Sequence, residues 1–263
     1  MGKWVSPTHD ELGFIHSPTV KQHKGGSMRD ALVFNGASNL DFQDIRTNVT
    51  RIPEVVARVR EAQEIWDTLS AQSLDLATFI ASEDSVFLGN IKLKNFATAV
   101  VQVGLLDRYL KSHKLPEFVM GAVNGDSALM VALGKISFHD MIADSPALGN
   151  RSPRTMNVIP GGLELPVLSG VELCEYGVFR RDTKGEYERM DQETREADKM
   201  VLEMVETHEV RRLVMVGPGN TVSGKKLLDM TAHDIQVQES IDMDPMLSWF
   251  WSNLKDNRLA IAN

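Results

Sequence analysis

The sequence predicts an α/β protein with a short parallel sheet flanked by helices. Short apolar segments rich in valine and leucine alternate along the chain with longer segments in which apolar residues recur every three or four positions. This order of strand, helix and strand is typical of parallel sheets covered by helices. The 263 residues are 43% hydrophobic and 24% charged, as in ordinary globular proteins. We expect about four or five strands.

The first 29 residues are predicted to form a flexible polar tail. They are interrupted by Pro7, Pro18 and the pair Gly25–Gly26, and their apolar residues follow no helical or strand period. We therefore expect a tail at residues 1–29 and a single α/β domain at residues 30–263.

The first clear helix begins at Pro53. Proline suits the first turn of a helix because its missing N–H has no partner there, and the acidic Glu54 favours the positive end of the helix dipole. The apolar residues that follow recur mostly at spacings of three and four: Val55, Val56, Val59, Ala62, Ile65, Trp66 and Leu69. This stripe is predicted to lie in the core.

Two further helices are predicted from the same periodicity. One covers residues 96–109, and a turn at residues 114–116 leads from it into a strand. The other covers residues 191–207, is charged on one side and precedes a strand at residues 213–216. The residues that these helices should bury are Phe96, Val100, Val103, Leu106, Met200, Val201, Met204 and Val205.

The segment from Phe118 to Phe138 reads FVMGAVNGDSALMVALGKISF. It combines an apolar strand, a sharp turn flanked by glycine and a helix of small residues, which is the layout of the G-x-S-x-G elbow that presents a catalytic serine. The apex residue is Val123, whose side chain has no group that can attack a carbonyl. The segment therefore indicates a fold suited to acyl transfer without the usual nucleophile.

Four segments together resemble a known family. Gly121–Asp126 and the following run ALMVALGKISFHDMI match, without a gap, an elbow that reads roughly GHSLGEYSALVAAG. Three further segments resemble motifs of the same family and lie in the same order along the chain. They are residues 31–40 (ALVFNGASNL), 90–110 and 213–228 (LVMVGPGNTVSGKKLL). Over roughly residues 31–240 the chain thus resembles the malonyl-CoA:acyl-carrier-protein transacylases and the acyltransferase domains of polyketide and fatty-acid synthases. The resemblance implies the fold of the acyltransferase large subdomain.

The chain departs from this family at each functional position. The position of the nucleophile is Val123, that of the preceding histidine is Ala122, and that of the glutamine that helps to hold the oxyanion is Ala37. No histidine lies between His139 and His208, where the family has its catalytic base. Attack by a serine needs a base within hydrogen-bonding reach, so the resemblance implies that no catalytic residue remains.

The middle of the chain is also shorter than in the family. Only residues 143–164 join Ile142 to Leu165, too few for the ferredoxin-like subdomain that forms the other wall of the acyl cleft. We expect this small subdomain to be missing and the groove to be open. The arginine that binds the substrate carboxylate in the family falls on Leu148 when counted without gaps.

An active enzyme with relocated chemistry is the alternative. In that interpretation the protein is an active acyl-CoA or acyl-carrier-protein acyltransferase, or a thioester hydrolase. Its candidate nucleophiles and bases are Asp126, Ser127 and Cys174. We expect Asp126 to compensate the charge of a helix N-terminus and Ser127 to cap or pack the same helix. Glu172 and Glu175 should raise the pKa of the Cys174 thiol, which disfavours a reactive thiolate.

A vestigial site could bind a ligand without turnover. The backbone N–H groups around Asn124 are expected to form a helix N-terminus, an electropositive place for an anion or a carbonyl oxygen. The GPGN turn at residues 217–220 lacks the longer Gly-Lys pattern of a phosphate-binding loop, which favours a structural role. The positions of such a site are Asn35, Gly36, Asn124, Gly125, Asp126, Gly217, Gly219 and Asn220.

The stretch from Asp244 to Trp251 begins like a capped helix but is apolar on too many sides for one core stripe. Trp249, Phe250 and Trp251 are typical of residues that anchor an interface. The alternative is that they cover core left exposed by the missing subdomain.

Composition excludes several classes of function. The formal net charge of −8 argues against a nucleic-acid partner, because phosphate binding needs a basic face. The sequence has no apolar run long enough for a membrane span. The single cysteine, Cys174, fits a reducing cytoplasm. No metal or other cofactor is expected.

The sequence thus predicts a pseudoenzyme related to fatty-acid or polyketide biosynthesis. It would act by binding a partner protein, an acyl carrier protein or an acyl thioester, and a homo-oligomeric scaffold is a third possibility. The fold of a family does not carry its activity once the site is lost.

Overall fold

The computed structural model describes residues 29–34, 49–82, 89–149, 176–190, 197–217, 233–244 and 246. The strands in these ranges are β1 (Arg29–Phe34), β2 (Phe118–Ala122), β3 (Tyr176–Arg181), β4 (Tyr187–Arg189), β5 (Val210–Met215) and β6 (Gln236–Glu239). The helices are α1 (Pro53–Leu69), α2 (Leu76–Ala81), α3 (Ile91–Leu110), α4 (Ala128–Ala132), α5 (Phe138–Ala143) and α6 (Ala197–Glu206), with 3-10 turns at Val49–Arg51 and Pro146–Leu148. None of the helices described is both long and apolar enough to cross a membrane.

The strands form one mixed sheet in the order β4-β3-β2-β1-β5-β6. β2, β1, β5 and β6 run parallel, whereas β3 is antiparallel to both β2 and β4. The protein is thus an α/β protein, and the prediction of a short parallel sheet is right for four strands. It is wrong for β3 and β4, which add an antiparallel hairpin to one edge.

A tight turn produces this hairpin. The carboxylate of Asp182 accepts hydrogen bonds from the backbone N–H groups of Lys184 (2.9 Å) and Glu186 (2.7 Å). Gly185 has a φ of 90°, which glycine adopts at little cost. The chain therefore reverses after β3, where a parallel connection would need a long crossover.

Helices cover both faces of the sheet. Leu32 and Phe34 of β1 belong to a core cluster that also contains the buried side of α1 and α3. Ala31 and Val33 belong to a second cluster with α6. Successive strand residues point to opposite faces, so β1 is buried on both sides, as a central parallel strand should be.

The three predicted helices are confirmed. α1 spans the predicted stripe from Pro53 to Leu69, whose apolar residues are buried or half-buried. α3 begins earlier than predicted, at Ile91, where the side chain of Asn90 accepts a hydrogen bond from the N–H of Leu93 (3.2 Å). α6 lies within the third predicted helix, and it buries Met200, Val201, Met204 and Val205.

An ion cluster joins α1, α3 and the segment after β6. Glu54 accepts hydrogen bonds from Arg108 and Lys111, and Arg108 Nε donates to Asp244 Oδ2 at 2.7 Å. Asp244 Oδ1 also accepts from the N–H of Met246 at 2.9 Å. Burial acts to raise the pKa of Glu54, but Lys111 and Arg108 outweigh it and hold that pKa below its ordinary value. The cluster therefore depends on two cations that neutralise two mostly buried carboxylates.

Candidate functional site

The elbow segment folds as a strand, a turn and a helix, as predicted, but with different geometry. β2 ends at Ala122, and α4 begins only at Ala128 and is five residues long. Asn124 and Gly125 lie in the intervening turn. The expectation that N–H groups around Asn124 form a helix N-terminus is therefore wrong, because the helix starts later and is too short for a useful dipole.

The turn also lacks the backbone strain of a nucleophile elbow. Such an elbow holds its apex residue in a strained conformation that exposes the side chain. Among the described residues other than glycine, Glu209 is the one with positive φ, so Val123 has an ordinary negative value. Val123 is thus not held out above the sheet as a nucleophile would be.

The side chain of Val123 packs against β3. Gly177 pairs with Gly121 across the β2–β3 ladder, and a Cβ atom added at Gly177 would lie 2.7 Å from Val123 Cγ1. Val123 is half-buried and belongs to the layer packed on the core cluster of α1 and α3. Val123, the position where the resemblance places the nucleophile, therefore packs against the β3–β4 hairpin. The sequence did not predict this hairpin.

This contact predicts coupling between Val123 and Gly177. Gly177→Ala alone should lower the free energy of unfolding by about 1–3 kcal/mol, because the new methyl group overlaps Val123 Cγ1. Val123→Ala removes that methyl group. The loss of unfolding free energy in the double variant should therefore be smaller than the sum of the two single losses, by at least about 1 kcal/mol. Urea unfolding of the four proteins measures the coupling. Strictly additive losses would place the Val123 side chain elsewhere.

Ser127 has a structural role in the turn. It occupies the N-cap position of α4 without a capping hydrogen bond, and its Oγ donates to the carbonyl oxygen of Ala122 at 2.6 Å. This bond closes the turn between β2 and α4. No histidine of the described residues hydrogen-bonds the hydroxyl, which instead donates to a backbone carbonyl.

The ends of β1 and β5 form a second part of the site. Strand order reverses at β1, with β2 on one side and β5 on the other, and ligands of open α/β sheets bind at the carboxyl ends near such a point. The N–H of Val216 donates to Val33 O (2.8 Å), and the buried Gln102 donates from Nε2 to Val216 O (3.1 Å). The next residue, Gly217, has a φ of 125°. Of the GPGN turn, only Gly217 lies within the described residues.

Two polar residues of this edge were not predicted. Gln102 is a buried amide in the otherwise apolar run AVVQVGLL of α3, and that interruption was a usable signal. Ser240 is buried at the end of β6, and its Oγ has no hydrogen-bond partner in the structure described. Nothing in the local sequence distinguishes Ser240 from a turn residue.

Leu148, where the resemblance places the substrate-binding arginine, is part of the core. It is buried in the 3-10 turn Pro146–Leu148. Beside this turn, Trp66, Asn90 and Lys92 help to line a cleft of about 160 Å³ between the end of α1 and the start of α3. A buried leucine offers neither a charge nor a hydrogen bond to a substrate carboxylate.

Other expected positions lie outside the described residues. They are Asn35, Gly36, Ala37, Cys174, Gly219, Asn220, Trp249, Phe250, Trp251 and residues 1–28 of the predicted tail. The last residue of the predicted tail, Arg29, instead begins β1. Within the described ranges, no group of three or more His, Cys, Asp or Glu side chains converges as a metal site.

Comparison with known proteins assigns no family to the chain. The sequence matches no protein-family model, and no curated protein is significantly similar to it. The resemblance to acyltransferases therefore rests on the four sequence segments, and function is argued from the site itself.

Proposed function

We propose that the protein binds an acyl carrier protein, an acyl thioester or another protein partner at the carboxyl edge of its sheet and transfers no acyl group. The observation that carries this proposal is the packing of Val123 against Gly177 at the position of a nucleophile. An acyl transferase needs an exposed nucleophile and a base to activate it. A side chain packed on a neighbouring strand meets neither requirement.

The surroundings of Val123 support binding over catalysis. Ser127, the nearest hydroxyl in the sequence, is committed to the carbonyl of Ala122. The helix that would stabilise an oxyanion begins at Ala128 and has only five residues. The alternative of relocated catalysis by Asp126, Ser127 or Cys174 would need a nucleophile and a base to meet at this turn.

The carboxyl edge retains features that suit a ligand. Gln102 fixes the carbonyl of Val216, and Gly217 then turns the chain without a side chain. Gly217 itself is buried, whereas the turn at residues 123–127 is partly exposed and can be reached by a ligand. The family that the chain resembles transfers acyl groups between CoA and acyl carrier protein, which is why we name these ligands.

A serine at position 123 should not restore chemistry. We expect Val123→Ser incubated with malonyl-CoA to form no acyl-enzyme, because the hydroxyl would face β3 and no histidine of the described residues hydrogen-bonds this turn. Intact-mass spectrometry measures the adduct, and Val123→Ala is the matched control. A stoichiometric adduct on Val123→Ser alone would show that a base and an open acyl site survive.

Binding is tested separately from chemistry. Titration of isotope-labelled protein with malonyl-CoA, and then with an acyl carrier protein, should shift the amide resonances of residues 123–127 and Gly217. Gln102→Leu, which frees the carbonyl of Val216, should weaken those shifts. If neither ligand shifts these resonances, the proposed acyl ligands are wrong.

A further inference from the structure

A small cavity lies under α6, on the sheet face opposite α1 and α3. Its volume is about 10 Å³, and three thioethers and one imidazole line it, from Met190, Met200, Met204 and His208. Met200 and Met204 are one helical turn apart on α6, and His208 follows at the same spacing just beyond the end of the helix. Met190 is the residue directly after β4. Two separate parts of the chain thus bring their soft side chains to one place.

His208 is held with one ring nitrogen buried. Its ring packs on Phe118 with the centroids 5.3 Å apart, and its backbone oxygen accepts a hydrogen bond from Arg29 Nη1 at 2.9 Å. Glu209, directly after it, has a φ of 56°, so the turn that places the imidazole is strained. Nε2 is buried and has no hydrogen-bond partner in the structure described. A buried polar atom in this state calls for a partner.

Water is a poor partner for this nitrogen. A buried water needs two to four polar contacts, and a volume of about 10 Å³ is at the lower limit for one molecule. Besides the four ligand candidates, Val178 and the exposed Glu203 line the cavity. The interior of the cavity is therefore rich in sulfur and poor in hydrogen-bonding groups.

We propose that Met190, Met200, Met204 and His208 form a binding site for Cu(I). Thioether sulfur and imidazole nitrogen are ligands that suit this soft ion. All four are neutral when they bind, so burying a monovalent cation among them costs less than burying a divalent one. The site is on the other face of the sheet from the turn at Val123, and it does not depend on the proposed function.

Silver(I) is the probe for this site, because it shares the ligand preference of Cu(I) and is stable in air. All variants carry Cys174→Ser, since a free thiolate would bind silver itself. With methionine methyl groups labelled, one equivalent of Ag(I) should shift the signals of Met190, Met200 and Met204. The signals of Met120 and Met215, which are buried in the same cluster but do not line the cavity, should not move.

Two double variants provide the matched comparison. Met200→Leu with Met204→Leu keeps the volume and removes two sulfurs, and it should weaken Ag(I) binding by at least about tenfold. Met120→Leu with Met215→Leu should bind Ag(I) as tightly as the parent, the Cys174→Ser protein, does. Equal binding by both double variants, no methyl shift at the cavity, or tight binding of Zn(II) in place of Ag(I) would overturn the proposal. The methyl shifts of the parent decide the matter even if a leucine variant fails to fold.

Discussion

Replacing Gly104 with alanine should lower the free energy of unfolding by about 2–4 kcal/mol. Gly104 lies where α3 crosses α1, and a Cβ atom added there would be 2.6 Å from the Cα atom and 3.0 Å from the backbone nitrogen of Val55. Backbone atoms cannot move aside as a side chain can, so the two helices must separate. This loss exceeds the roughly 1 kcal/mol that alanine gains over glycine in a helix.

Gly89→Ala is the control for this prediction. A Cβ atom at Gly89 would have no neighbour within 4 Å, so the substitution should change stability by less than about 0.5 kcal/mol. Urea unfolding measures both variants. A Gly104→Ala protein as stable as the parent would mean that α1 and α3 do not approach as closely as described.

Replacing Arg108 with methionine should cost about 2–4 kcal/mol at neutral pH. Arg108 bonds both Glu54 and Asp244, which are buried, and its loss leaves these carboxylates with too little compensating charge. The estimate lies below that for a fully buried pair because the Arg108 side chain is 24% exposed. Lys111→Met should cost less than Arg108→Met, because the lysine contacts Glu54 alone and the ion pair of Arg108 with Asp244 remains.

The effect of Arg108→Met should depend on pH. The pKa of Glu54 is held below its ordinary value in the folded protein, so its contribution to stability is present above about pH 4.3 and is lost as the pH falls further. Without Arg108, ionisation of Glu54 and Asp244 stabilises the folded protein less. The difference between variant and parent should therefore stay constant above about pH 4.3 and shrink as the pH falls below it, and a difference that grows on acidification would contradict this account.

The helices were predictable because their signals are local. Pro53 marks the start of α1, and the apolar stripe after it has the helical period over four turns or more. The same holds for α6, whose buried residues were named from spacing alone. β2 and β5 follow because strands between such helices pair in parallel.

The antiparallel hairpin was missed because its strands are short and its signal is a turn. Tyr187–Arg189 is three residues long, and periodicity over so short a segment indicates little. The useful cue was the sequence Asp182-Thr183-Lys184-Gly185, which combines a side chain that bonds the turn with a glycine at positive φ. The elbow motif includes Val123 but not Gly177, which lies against it.

The candidate site was only partly predictable, since its contacts join distant parts of the chain. The motif placed Val123 after a strand, but not the strand that packs against it. Gln102 and Val216 are far apart in the sequence, as are Arg108 and Asp244, and no local pattern pairs them. The cavity beneath α6 likewise needs Met190 from outside the helix.

The central claim is that this turn does not accept an acyl group, and the most direct test is the intact mass of the parent protein. The protein would be incubated with malonyl-CoA and acetyl-CoA in the presence of an acyl carrier protein, and free CoA would be followed as well. We predict an unchanged mass and no release of CoA above the protein-free rate. A stoichiometric acyl adduct, or faster release of CoA, would contradict the account and require a nucleophile within the chain.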